Sequence, residues 1–295
     1  MNILAVDIGG SSFKTGLFQK EALISFQEYK NDGRLGASHL ISHLLSVIGE
    51  YTGPASPDAI GLSVTGQIDS QQGKVVFATD AIPGFTGTWL RDVVMDKTGL
   101  PVVMENDVNC AALGEAFYGA GQPFSDFLCL TYGTGIGGAI ILNHRIFHGL
   151  NGIAGEFGHM VLHRGGEPCV CGRSGCYETY ASTTALCRMV SQKTGEQLSG
   201  REIFARFDNP EIKKIIDHWI DEIAEGLISL LHIFNPPAIL LGGGIMKQQY
   251  VYEELQKRVL QRVLPSFRQT KILQTLLENQ AGMYGAFHLA SLHRD

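Results

Sequence analysis

Positive charge, sulfur and long apolar runs are all scarce in this 295-residue chain. Lys and Arg total 23 against 29 Asp and Glu, giving a formal net charge of −6. Such a surface has no general attraction for nucleic acid or an anionic membrane. No apolar run approaches the roughly 20 residues needed to span a bilayer. The opening MNILAVDIGG has no basic segment and meets an acid at Asp7, which excludes a secretory signal and makes the cytoplasm the expected compartment. Only six residues are Cys. In a reducing compartment, clustered cysteines point to metal or redox chemistry rather than disulfides. There is no low-complexity tail and no strong short repeat.

Glycine is abundant, at 36 residues, and much of it sits at the ends of apolar runs. Asn2–Ile8 reads as a strand running into Gly9-Gly10, with Thr15–Phe18 as its return. Leu128–Tyr132 reads as a second strand running into Gly133–Gly138, with Ala139–Leu142 as its return. Further strands are expected at Ala59–Val64, Pro101–Glu105 and Ala238–Leu241. Helical periods run over Ala37–Tyr51, Asp107–Tyr118 and Glu211–Phe234, the last opened by Pro210 and stopped by Asn235-Pro236-Pro237. Strands alternating with helices define an α/β fold. Two halves, each opening with a strand, a glycine turn and a return strand, suggest two related domains with a cleft between them.

Three of the six cysteines crowd into one segment. His159, Cys169, Cys171 and Cys176 follow H-x9-C-x-C-x4-C, a set of four borderline or soft ligands suited to tetrahedral zinc with no open position for water. Such an ion is structural. Reduced thiols in a loop, or a Cys-x-Cys redox pair, are the alternatives. Cys110, Cys129 and Cys187 sit in apolar contexts and are expected in the core.

The segment Asp7–Lys14 joins strand to strand. It is therefore neither a dinucleotide fingerprint nor a Walker loop, both of which need a following helix. It is either a plain hairpin or a phosphate cradle, with Ser11, Ser12 and Lys14 as donors and Asp7 facing Mg²⁺ directly or through water. Three glycine turns at strand ends, the third at Gly242–Gly244, favour nucleotide binding. Glu105-Asn106-Asp107 stands where a strand ends and a helix begins. Helix capping explains that position; so does a catalytic carboxylate at the carboxyl end of a strand, suited to take a proton from a hydroxyl.

Together these segments resemble the ROK family of sugar kinases and repressors over nearly the whole chain. The phosphate motif DxGGT-x-x-K appears as DIGGSSFK, with Ser11 in place of Thr. The second phosphate motif appears as GTGIGGA, ending in Ala139. The sugar motif E-x-G-H appears as Glu156 to His159, and C-x-C-G-x-x-G-C-x-E appears as Cys169 to Glu178. The resemblance implies a two-lobed actin-like, ribonuclease H-like ATPase fold. It divides the chain into a smaller lobe at 1–118 and a larger one at 119–282, with a helix at 283–295 packing back on the first. It implies Asp107 as catalytic base and Thr65, Gly66, Asn106, Asp107, Glu156, His159 and Glu178 as sugar contacts. Asp7, Gly9, Gly10, Ser11, Lys14, Thr134, Gly135 and Gly243 would hold MgATP. His159, Cys169, Cys171 and Cys176 would hold structural zinc that steadies the sugar contacts. The implied reaction is phosphorylation of a hexose at its 6-hydroxyl, with glucose preferred and N-acetylmannosamine, fructose or a β-glucoside as alternatives. A homodimer is expected on the same ground. Specificity would lie in loops around 31–37, 66–90 and 144–153. Tyr132, Phe85 and Trp89 either line the sugar pocket or are plain packing, and packing is the expected role of each. A repressor would need a DNA-reading domain ahead of Asp7; a sugar-sensing module or an actin-like ATPase machine are the remaining rivals.

Overall fold

The computed structural model describes residues 1–53 and 56–292. Strand β1 (Asn2–Ile8) is buried along most of its length. It pairs antiparallel with β2 (Ser12–Gln19), which sets Asp7 opposite Lys14. Strand β3 (Ala22–Lys30) extends the hairpin and is mostly exposed, as an edge strand is. Helix α1 (Ala37–Gly49) buries Leu40, Leu44, Val47 and Ile48, a stripe at helical spacing. Strand β4 (Ala59–Val64) is buried throughout and runs parallel to β1. A small hairpin, β5 (Gln67–Asp69) and β6 (Lys74–Phe77), precedes α2 (Leu90–Thr98). Strand β7 (Val102–Asn106) then pairs parallel with β4 and passes directly into α3 (Asp107–Tyr118). The sheet order is β3-β2-β1-β4-β7.

The second sheet starts with β8 (Phe127–Tyr132) and β9 (Ile136–Leu142), whose end pairs with the two-residue β10 (Arg145–Ile146). Short helices α4 (Glu178–Ala181), α5 (Thr183–Thr194) and α6 (Gly200–Ala205) lead to the 25-residue α7 (Pro210–Phe234). Asn209 caps α7 by accepting from Glu211 and Ile212 N–H, Pro210 opens its first turn, and Asn235 ends it in the left-handed conformation at φ 44°. Its apolar face is buried, and Trp219 donates Nε1–H to the Ser182 carbonyl at 3.0 Å. Strand β11 (Ala238–Gly242) lies parallel to β8 on one side and to β12 (Lys271–Gln274) on the other, with α8 (Gln249–Arg262) between β11 and β12 in sequence. The order is β10-β9-β8-β11-β12.

Helix α9 (Ala281–Leu292) returns to the first sheet. It lies so close that a Cβ on Gly61 would stand 2.1 Å from the Ala286 carbonyl oxygen, and one on Gly285 would stand 1.8 Å from that of Cys110. Phe287 stacks on Phe18 with ring centroids 4.1 Å apart. Ile3, Ala5, Phe18, Cys110, Met283, Ala286, Phe287 and Ala290 form one core on this face, and a larger core that includes Leu4, Val6, Leu40, Leu62 and Val94 fills the other.

By packing, one unit contains residues 1–123, 140–154 and those from 279 onward, and the other contains 124–139 and 155–278. Residues 140–154, placed with the second lobe on sequence grounds, pack with the first unit, because β9 continues past Ala139 into it. Positions 293–295 of the expected terminal helix lie outside the described residues. The second glycine turn is tighter than Gly133–Gly138: β9 begins at Ile136, so Gly137 and Gly138 are strand residues. A Cβ on Gly138 would meet the Phe157 ring at 2.3 Å. Tyr132 and Phe85 are fully buried, whereas Trp89 is exposed with the Lys74 ammonium 4.9 Å from its ring centroid. Cys110 and Cys129 are buried and Cys187 is half-buried. Among the described residues no helix is long and apolar enough to cross a membrane.

Candidate active site and metal cluster

In the first unit the ends of three adjacent strands bring the acidic groups together. Asp7, near the end of β1, takes Ser63 Oγ–H at 2.6 Å and the Lys14 ammonium at 3.2 Å. Lys14 is thus committed to Asp7. The glycine turn beyond is closed by Gly9 N–H on the Ser12 carbonyl at 3.0 Å. It is braced from outside, where Asn31 N–H donates to the Ser11 carbonyl and Gly33 N–H to that of Gly10, both at 2.8 Å. A Cβ on Gly10 would meet nothing within 4 Å, so the space beside this residue is open.

Asn106 does the capping that its position suggests. Its Oδ1 accepts from Val108 and Asn109 N–H at 2.9 and 3.0 Å. Its Nδ2 donates to the Gly66 carbonyl at 2.8 Å and to Asp107 Oδ1 at 2.9 Å. Thr65 N–H donates to the Ile8 carbonyl at 3.3 Å, tying this turn to the end of β1. Asp107 is half-buried, and desolvation, with the Asp7 carboxylate nearby, pushes its carboxyl up to about 7. Asn106 supplies the cap, and Asp107, whose Oδ1 accepts Val108 N–H at 2.9 Å, keeps a carboxyl that can exchange a proton near neutral pH.

In the second unit the turn after β8 is closed by Gly133 N–H on the Gly135 carbonyl at 3.0 Å, and Thr134 is exposed at its tip. A Cβ on Gly135 would meet Glu178 Oε2 at 2.7 Å. Gly243 has φ +98°, and a Cβ there would stand 2.1 Å from the Tyr132 carbonyl oxygen. Only glycine fits there.

The four expected metal ligands converge. Nδ1 or Nε2 of His159 and Sγ of Cys169, Cys171 and Cys176 all lie within 4.8 Å of one another. Cys169 Sγ is 3.5 Å from His159 Nδ1, and Cys171 Sγ is 3.6 Å from Cys176 Sγ. A tetrahedral zinc with Zn–S near 2.3 Å and Zn–N near 2.0 Å has edges of about 3.5–3.8 Å. The donor set therefore fits zinc in both chemistry and spacing. Gly175, at φ +84°, makes the loop possible, since a Cβ there would stand 1.7 Å from the His163 carbonyl oxygen. Burial pushes the Cys169 thiol up to about 12, while the Arg173 backbone N–H lowers that of Cys171. A cation at the centre would be needed to hold Cys169 as thiolate, with release of its proton.

The carboxylates named with the cluster lie beside it. Glu178 Oε1 is 3.3 Å from Cys169 Sγ and 3.6 Å from His159 Nδ1. Glu156 Oε2 is 3.9 Å from His159 Nε2. Nδ1 faces the thiols, which leaves Nε2 on the side of Glu156.

Three participants escaped sequence reading. Ser63 holds Asp7, and its signal was there: one hydroxyl inside the fully buried AIGLSV strand. Asn109 and His148 both reach Glu105, which accepts Asn109 Nδ2–H at 3.0 Å and meets His148 Nε2 at 2.7 Å. Nothing in the sequence around either residue marks it.

Two α/β units, each opening on a strand, a glycine turn and a return strand, have the build of the actin-like ATPases, and the acidic strand ends give that build a carboxyl that can exchange a proton near neutral pH. Comparison with known proteins places it more narrowly. The ROK family model matches residues 3–292, and the chain belongs to that family. A glucokinase of Thermotoga maritima is 30% identical over 97% of this chain and 96% of its own length. A beta-glucoside kinase of Listeria innocua is 34% identical over 98% of this chain and 97% of its own. A ROK family glucokinase from Streptomyces griseus, solved with glucose and AMPPNP, superposes with a TM-score of 0.86 at 30% identity, covering 99% of this chain and all of that one. Within the family the chain stands with the sugar kinases, phosphotransferases that use ATP.

Proposed function

We propose that the protein transfers the γ-phosphoryl group of MgATP to the 6-hydroxyl of a hexose, with glucose the preferred acceptor. The observation that carries the reading is Asp107: a half-buried carboxyl at a strand end, pushed up to about 7 beside Asp7. A general base works best with its pKa near the operating pH. Asp107 accepts the proton as the hydroxyl oxygen forms its bond to the γ-phosphorus. The bond from that phosphorus to the bridging oxygen breaks, and ADP leaves. Asn106, Glu156, His159 through Nε2, and Glu178 hold sugar hydroxyls, with Thr65 and Gly66 at the edge; hydroxyls both donate and accept, which suits amide, imidazole and carboxylate partners. Gly9, Gly10, Ser11, Thr134, Gly135 and Gly243 hold the nucleotide. Asp7 would hold Mg²⁺, directly or through water, to neutralise phosphate charge, and Lys14 keeps Asp7 in place. His159, Cys169, Cys171 and Cys176 would hold a structural zinc that orders the loop and orients His159 and Glu178. A homodimer is proposed on the family resemblance.

The test is ADP release with MgATP against hexoses, N-acetylhexosamines including N-acetylmannosamine, fructose and β-glucosides. One sugar with kcat/KM far above the rest supports the reading and names the acceptor. A β-glucoside in that place would move the preference to the second reading, which the 34% identity to a beta-glucoside kinase favours. Sugar-independent ATP hydrolysis, or silence across the panel from zinc-loaded protein, would overturn it.

A further inference from the structure

Glu105 is the acid of the Glu-Asn-Asp segment that the proposed chemistry leaves without a task. Its side chain is only 2% exposed. Oε1 accepts the Asn106 backbone N–H at 2.8 Å and Asn109 Nδ2–H at 3.0 Å. These are the residue that caps α3 and a residue in its first turn. Oε2 meets His148 Nε2 at 2.7 Å, from a residue 43 positions away in the loop that leads to Glu156. That imidazole is 42% exposed, and its hydrogen bond to Glu105 raises its pKa. Both residues line a cavity of about 750 Å³ walled by Met95, Val103 and Leu289.

We propose that His148 is a positioning residue for the catalytic base. It acts through Glu105, fixing the strand end from which Asp107 projects and tying the 147–155 loop to that end. The path is short and continuous. His148 Nε2–H donates to Oε2, the same carboxylate orients the Asn106 peptide and the Asn109 amide, and Asn106 Nδ2 donates to Asp107 Oδ1. Without the imidazole, water from the cavity can solvate Oε2 but cannot hold it in one place or link it to the loop. A catalytic group displaced by about 1 Å can lose on the order of 100-fold in rate. The inference rests on the sugar-kinase reading for its kinetic arm alone.

The experiment compares wild type, His148→Ala and His148→Gln, whose side-chain amide can donate from about the place of Nε2. Two quantities are read: steady-state kinetics with the sugar found above, and amide hydrogen exchange at Asn106, Val108 and Asn109. The expected result is that His148→Ala loses roughly 10- to 100-fold in kcat, with KM for ATP within about twofold. Exchange at the start of α3 should accelerate, and His148→Gln should restore both. Wild-type turnover with His148→Ala within about twofold in kcat and unchanged exchange would overturn the inference while leaving the kinase reading intact. A His148→Gln protein as slow as His148→Ala would also overturn it, because packing rather than the hydrogen bond would then be what matters. If wild type itself phosphorylates nothing, the kinase reading has failed, and the exchange data alone decide whether His148 holds the strand end.

Discussion

Replacing Asp107 with Asn should destroy activity and stabilise the protein, and the stabilisation should depend on pH. Asn keeps the acceptor that Asn106 Nδ2–H and Val108 N–H use, at 2.9 Å each, and removes the charge. The folded protein binds the Asp107 proton with a pKa of about 7, against 3.8 for an ordinary Asp. A carboxyl whose pKa is raised by folding opposes folding once it is ionised. The opposition is absent below about pH 4, grows between pH 4 and 7, and levels off above 7. At about 1.36 kcal/mol per pH unit, the penalty is about 2 kcal/mol at pH 5 and about 4 kcal/mol at pH 8. Asp107→Asn should recover those amounts. Urea unfolding of both proteins without nucleotide, at pH 5 and pH 8, measures them. The same titration gives the wild-type kcat/KM an acidic limb falling about tenfold per pH unit below 7. Equal stability of the two proteins at pH 8, or no growth in the difference between pH 5 and pH 8, would refute the account of Asp107 as a base held in an environment that resists its charge.

Cys176→Ser should remove the metal and loosen the whole 159–178 segment; elemental analysis should find one zinc per wild-type chain and none in the variant, whose melting temperature should fall. Zinc-free wild type with unchanged melting would sink the structural role. Gly243→Ala forces a side chain into φ +98° and against the Tyr132 carbonyl, so it should cost about 1–3 kcal/mol of stability and raise KM for ATP more than KM for sugar. Equal effects on the two KM values would argue against Gly243 at the nucleotide.

Elements with a strong apolar rhythm were legible. NILAVDI, AIGLSV and the stripe from Ile212 to Leu231 each bury what their pattern announces. The metal cluster was legible because its ligands are close in sequence and chemically rare. Strand β3 was not, because ALISFQEYK sits at a sheet edge and exposes Gln27 and Glu28. Helix α8 was read only as a helical stretch after Gly242–Gly244, without bounds, for a related reason: only Val251, Leu255 and Val259 are buried in a polar surround. The change of unit inside β9 has no local mark at all, since one unbroken strand carries the chain across it. The Glu105–His148 contact joins two residues with no shared motif, and long-range pairing of that kind needs the fold before it can be seen.

Helix α9 has a consequence for how the protein is made. Ile3, Ala5 and Phe18 lie near the beginning of the chain, yet Met283, Ala286, Phe287 and Ala290 are what cover them. Gly282 lies so close to Asp7 and Ser63 that a Cβ there would stand 2.8 Å from each, so α9 also walls in the acidic centre. On the ribosome, the first-made sheet must wait with one apolar face bare while the entire second unit is synthesised. The second unit can close on itself during that interval; the first cannot. Synthesis should therefore pass through a long-lived nascent state with a half-covered sheet, a natural client for chaperones that bind exposed apolar strands. The acidic centre is walled in only after α9 has left the exit tunnel.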